Sequence, residues 1–247
     1  MGAASSLETR KRQLQYLQAM GIQAWELRNS AVESPAVEQD VAEIAGMDAS
    51  AADLPGPSAV SGLDWETLQA RVKACTLCDL HTSRTQTVFG VGNRNADWLL
   101  IGEAPGRDED QQGEPFVGRA GQLLNAMLQA IGLQREQVYI ANILKCRPPN
   151  NRDPRPEEVV CCEPYLMRQI EVIQPGLILA LGRIAAQNLL NTETPIGKLR
   201  GRVHQFRDTG IPLIATYHPA YLLRSPLEKR KAWQDLQLAV ETVQAQL

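Results

Sequence analysis

No stretch of this 247-residue chain reaches the roughly 18 consecutive apolar residues that a membrane-spanning helix needs. The opening MGAASSLETRKRQLQ lacks the apolar h-region of a secretory signal, so a cytoplasmic location is expected. Aromatic residues are scarce, at 5 % of the chain, and none falls between positions 31 and 62. That Ala-, Ser-, Pro- and acid-rich stretch has little with which to build a core and reads as a flexible linker. Cysteine is limited to five residues, too clustered for a disulfide framework and better suited to holding a metal centre.

An excess of positive charge is also missing, since the net charge is −3. The deficit is local: residues 1–63 carry four Lys/Arg against eight Asp/Glu, leaving 21 against 20 in residues 64–247. Binding to nucleic acid would therefore rely on local patches, such as Lys198, Arg200, Arg202 and Arg207, and not on a global field. Three parts are expected: a helical appendage over 1–30, a linker over 31–63 and a folded domain over 64–247. In the appendage the run QLQYL at Gln13–Leu17 is similar to a sliding-clamp-binding peptide, although Leu14, Leu17 and Met20 equally suit the apolar side of a docking helix.

From residue 64 the pattern becomes regular. Trp65, Leu68 and Val72 share one helical face and lead to Cys75, and Ala120 to Ile131 follow helical spacing up to Gly132. Four apolar runs, DWLLI (97–101), VYIANIL (138–144), LILAL (177–181) and PLIATY (212–217), alternate with helical segments, and Ser225-Pro226 open a final helix. This alternation predicts a doubly wound α/β sandwich: a central, mainly parallel four-stranded sheet flanked by helices.

Ligands bind such sheets beyond the carboxyl ends of the strands. The residues at those ends are Gly102-Glu103, Asn142, Gly182-Arg183 and His218, which bring a carboxylate, an amide and an imidazole to one rim. Each alone has an ordinary alternative: Glu103 in solvent, Asn142 capping a turn, His218 satisfied in a core. Phe116 adds an aromatic in the Gly- and Pro-flanked loop EPFVG, where a core residue is less expected. Cys75 and Cys78 form a C-x2-C hook, 67 residues separate Cys78 from Cys146, and 15 separate Cys146 from Cys162. The second pair spans the proline-rich loop RPPNNRDPRPEEVV, which suits an iron–sulfur cube better than a zinc knuckle and would tether the loop at both ends without regular structure. Cys161 and Cys162 compete for the fourth position.

The motifs CTLC, LLIGEAPGRDEDQQGEPFVGRAGQLLN, VYIANILKCRPPNNRDPRPEE and TYHPAYLLR occur in order, and a cysteine stands two residues before Pro164. Together they resemble the family-four, iron–sulfur-containing uracil-DNA glycosylases, from about Leu68 to the C-terminus. The resemblance implies a [4Fe–4S] cluster on Cys75, Cys78, Cys146 and Cys162, with uracil-containing DNA as substrate and a monomeric enzyme. It assigns Phe116 to stacking on the extruded base, Asn142 to its N3 and O4 edge, and Glu109 to the C5 side. His218 falls to uracil O2, supported by backbone near Gly102, Glu103 and Ala104.

Glu103 and His218 are the catalytic candidates. Ala104 cannot titrate, so no general base is evident there, and Glu103 is left to supply a negative field and orient water. Leu222 and Leu223 suit an apolar wedge in the vacated stack, with Arg224 near a phosphate. A relative that traps itself on DNA does so through a histidine near the second strand, and KCRPPNNRDPRPEE contains none. The competing class is a non-enzymatic iron–sulfur or zinc module that recruits partners.

Overall fold

The computed structural model describes residues 60–246. The appendage, the clamp-like run at Gln13–Leu17 and the linker up to residue 59 lie outside the described residues. The folded part reaches upstream of position 64, because Val60 is buried in the core and Arg168 Nε donates to Leu63 O at 2.8 Å.

Helix α1 (Trp65–Ala74) begins where Asp64 caps it, the carboxylate accepting from Thr67 N at 2.8 Å. After the short helix α2 (Leu80–Ser83) come β1 (Val91–Gly92), β2 (Trp98–Gly102), α3 (Arg107–Gln112), α4 (Arg119–Ala130) and β3 (Tyr139–Asn142). The chain continues through α5 (Pro156–Ile173), β4 (Leu177–Leu181), α6 (Arg183–Leu189), α7 (Ile196–Leu199), β5 (Val203–Gln205) and β6 (Pro212–Thr216). It ends in α8 (Pro219–Arg224) and α9 (Lys229–Gln244).

The sheet order is β1-β3-β2-β4-β6-β5. The four central strands are parallel, as the apolar runs predict, and β1 and β5 add short antiparallel edges. Those edges escape a hydrophobicity reading because the strands have two and three residues and are not fully buried.

Alternation along the strands sorts the core into two layers. Leu99, Ile101, Ala141, Ile178 and Ala180 face α1, α5 and α6; Leu100, Ile140, Leu179, Leu181 and Ile214 face α4, α8 and α9. Buried Asp235 on α9 ties that helix to β6, accepting from Thr216 Oγ1 at 2.8 Å and from Arg200 Nε and Nη2 at 3.0 and 2.8 Å. Arg200 is thereby committed to structure, which corrects its place in the expected nucleic-acid patch. Arg207, another member, pairs with Glu163, while Lys198 and Arg202 remain at the surface.

The loop between the second cysteine pair is shorter than expected. Proline is tolerated in the first turn of a helix and acids there complement the positive end of its dipole, so Pro156, Glu157 and Glu158 start α5, and 147–155 lies outside it with a single 3-10 turn over Pro149–Asn151. Within it Asn150 and Asn151 take left-handed φ of 56° and 52°. Arg152 makes a bidentate pair with the buried Glu158, which also accepts from Arg155 N at 2.8 Å, and Arg147 Nε donates to Asn151 Oδ1 at 2.7 Å. Among the described residues no helix is long and apolar enough to cross a membrane.

Candidate active site

Beyond the carboxyl ends of β2, β3 and β6 lies a cleft of about 420 Å³, within the range of small-ligand sites. Glu103, Ala104, Glu109, Phe116, Asn142, His218 and Arg224 all line it, so the residues expected at the rim converge. Gly102 lies beneath: a Cβ there would stand 2.4 Å from Asn142 Oδ1 and 2.7 Å from Phe116 Cζ. Only glycine lets the amide and the ring approach the strand end together.

Asn142 closes β3 and is 2 % exposed, yet its Oδ1 has no hydrogen-bond partner among the described residues. A buried amide oxygen without a partner is costly, and here it sits on the wall of a cleft that can supply a donor. Phe116 lies with its ring centroid 5.5 Å from that of His218, the planes 32° apart. Its φ of 54° is left-handed, a strained geometry for an aromatic residue that the surroundings must impose. They do so through Arg135, whose guanidinium donates to Pro115 O at 2.5 Å and Phe116 O at 3.4 Å. Glu109 holds the next residues, Oε1 accepting from Val117 N at 3.2 Å and Gly118 N at 3.4 Å.

His218 caps α8, and its Nδ1 accepts from Ala220 N at 3.1 Å. That bond leaves Nε2 to carry the proton. Burial, with the Arg224 charge assisting, pushes the imidazole down to about 4, so it is a neutral donor near pH 7. Gly182, at φ 97°, makes room behind it, since a Cβ there would lie 2.9 Å from His218 Cβ.

Glu103 is pushed the other way. Burial, with Asp153 adding repulsion against the opposing pull of Arg183, raises it to about 7. Asp153 lines the cleft with Pro148, Asn151 and Arg152, and Arg183 Nη2 donates to Asp153 Oδ2 at 2.7 Å. The proline-rich loop thus forms one wall of the site. In sequence the loop reads as a span between cysteines that lacks a trapping histidine, and the RD pair at 152–153 is the signal for its place in the site.

Leu222 is 1 % exposed and packs in the core with Leu181 and Ile214, because its face of α8 turns towards the sheet. This corrects its assignment to the wedge. Leu223 is 37 % exposed, and Leu227, which the sequence reading passed over, is 92 % exposed.

Cys146 and Cys162 are buried; Cys75, Cys78 and Cys161 are half-buried. The thiols share one electrostatic neighbourhood. Burial, reinforced by Cys146, Cys161 and Cys75, pushes Cys78 up to about 11, and burial with Cys146 and Cys78 pushes Cys162 up to about 12. Such thiols keep their protons until a metal displaces them. Arg84 Nη1 donates to Cys146 Sγ at 3.0 Å and counters part of the rise that burial imposes on that thiol, whereas Cys161 Sγ donates to Leu77 O at 3.3 Å. Among the described residues no group of three or more His, Cys, Asp or Glu is arranged to hold a metal ion. The donors are thiols, the ligand type that both iron–sulfur clusters and structural zinc take.

Residues 89–237 match the model of the uracil DNA glycosylase superfamily. The type-4 uracil-DNA glycosylase of Archaeoglobus fulgidus is 55 % identical over 161 residues, covering 63 % of this chain and 81 % of the relative. That of Thermotoga maritima is 47 % identical over 65 % and 83 %, and that of Pyrobaculum aerophilum 42 % over 70 % and 92 %. The aligned span carries the whole rim from Gly102 to His218, so fold, cleft and ancestry agree, and the chain belongs to the uracil DNA glycosylase superfamily, within its type-4 branch.

Proposed function

We propose that the protein removes uracil from DNA by hydrolysing its N-glycosidic bond and leaving an abasic site. The observation that carries this reading is the buried, unpartnered Oδ1 of Asn142 on the wall of the cleft. Uracil offers an N3–H donor beside an O4 acceptor, the complement of one fixed amide. A partner-recruiting module has no use for such a group.

The base leaves the duplex and lies against Phe116, with Asn142 on its N3–O4 edge and Glu109 beside C5. As the C–N bond breaks, electrons flow into the base, and His218 Nε2–H donates to the charge growing on O2. Water adds to the sugar carbon and the proton it loses passes through solvent to the departing uracil anion, while Glu103 supplies negative charge beside the sugar cation. Leu223 and the protruding Leu227 face DNA as apolar fillers, and Arg224 meets a phosphate.

Cys75, Cys78, Cys146 and Cys162 hold a [4Fe–4S] cluster in this reading, and its contribution is structural, because glycosidic hydrolysis has no redox step. The clustered free thiols also favour the cytoplasm as the place of work. A uracil-containing oligonucleotide treated with the protein and then alkali tests the activity: strand scission at the uracil is expected, and an intact strand overturns the reading. Metal analysis of the same protein should return iron and sulfide; zinc without iron refutes the cluster.

The pH dependence follows from Glu103. Its carboxylate form is the active one, so the single-turnover rate rises as pH passes upward through about 7. Glu103→Gln should slow the step about tenfold, the equivalent of about 1.4 kcal/mol, and flatten that rise. A Gln variant that keeps the same rise would move the titration to another group.

A further inference from the structure

Lys145 is 1 % exposed, an unusual place for an amine, and the chemistry described so far makes no use of it. Its Nζ donates to Asn142 O at 3.0 Å and to Gln169 Oε1 at 2.6 Å. Gln169, fully buried on α5, is fixed in turn, its Nε2 donating to Phe89 O at 3.0 Å and to Tyr139 Oη at 3.4 Å. The Lys145 main chain is pinned as well, since its carbonyl accepts from Val88 N at 2.8 Å. From this framework the side chain reaches back three residues to the main chain of the amide that ends β3.

We infer that Lys145 is a positioning residue for base recognition, holding the Asn142 peptide from behind so that its unpartnered Oδ1 keeps a fixed aim into the cleft. The inference rests on the reading of Asn142 as the base-reading group. An amine carries at least two N–H donors whether or not it is protonated, so both bonds form in either state. Burying an amine is expensive, and an apolar side chain would fill the core at less cost. What the amine adds is direction: a line of hydrogen bonds from the Phe89 carbonyl through Gln169 and Lys145 to the strand end. An amide displaced by even about 1 Å forfeits much of its transition-state binding.

The test is a double-mutant cycle on single-turnover uracil release. Lys145→Met preserves length and removes both bonds, and it should slow release about tenfold or more while DNA affinity stays within about twofold. With Asn142→Ala already present, the same change should alter the rate by less than about twofold, because a residue acting through Asn142 has nothing left to position. Retained iron–sulfur absorbance checks that the neighbouring Cys146 is undisturbed. Gln169→Met loosens the amine without deleting it and should show the same dependence on Asn142, which keeps the question decidable if Lys145→Met is insoluble. Equal slowing by either change in both backgrounds, or a wild-type rate for Lys145→Met, overturns the inference and makes the network a packing feature alone. If Asn142→Ala itself leaves uracil release intact, the reading of the site falls and this inference with it.

Discussion

Replacing His218 with alanine slows the single-turnover release of uracil by about 10²- to 10³-fold, the usual cost of one donor to a developing oxyanion, and leaves affinity for uracil-containing DNA within about threefold. The asymmetry follows from when the bond matters. O2 of the bound base is a weak acceptor, and only as the C–N bond breaks does negative charge collect there, so the loss falls on the transition state and little on binding. The imidazole is suited to this because it is neutral: held down to about 4, it neither gives up a proton to the leaving base nor changes charge across the working range. His218→Ala should therefore keep the rise in rate near pH 7 that belongs to Glu103, at a uniformly lower level. An unchanged chemical step with weakened DNA binding would make the residue a phosphate contact and sink this account.

Asn142→Ala reduces uracil release by about 10²-fold, since a base edge that is buried in the cleft and finds no partner loses its solvation without compensation. The same amide explains what is refused. Cytosine presents an acceptor at N3 and a donor at N4, so against Oδ1 and Nδ2 as they stand both contacts become repulsive. Cytosine release should be undetectable in the native protein and stay so in the variant, because alanine removes the repulsion without adding attraction. Competition between uracil- and cytosine-containing strands measures this, and near-normal uracil release by the variant would move recognition elsewhere on the rim.

Much of this site was legible before any coordinates, and the reason is topological. Buried parallel strands announce themselves as apolar runs, and their carboxyl ends fall at the residues that follow, so Glu103, Asn142 and His218 could be placed together from pattern alone. What escaped notice depends on contacts between distant segments. Arg135 reaches Phe116 across 19 residues and Gln169 reaches Phe89 across 80, and neither separation leaves a periodicity. Leu222 was misplaced for a related reason: on a helix of six residues, adjacent leucines look alike in sequence, and only packing decides which turns inward. The start of α5 was hidden by its prolines, which usually signal loop but are at home in a first helical turn.

The bond from Ala220 N to His218 Nδ1 couples two properties that are usually selected separately. It terminates a helix and, by the same shared proton, decides which face of a ring is acidic. Selection for thermal stability alone would accept serine or aspartate at 218, since either oxygen can serve the helix end, and would return a well-folded protein slowed by about the two to three orders of magnitude expected for loss of the ring. Libraries built on this scaffold should therefore be sorted by turnover before they are sorted by melting temperature.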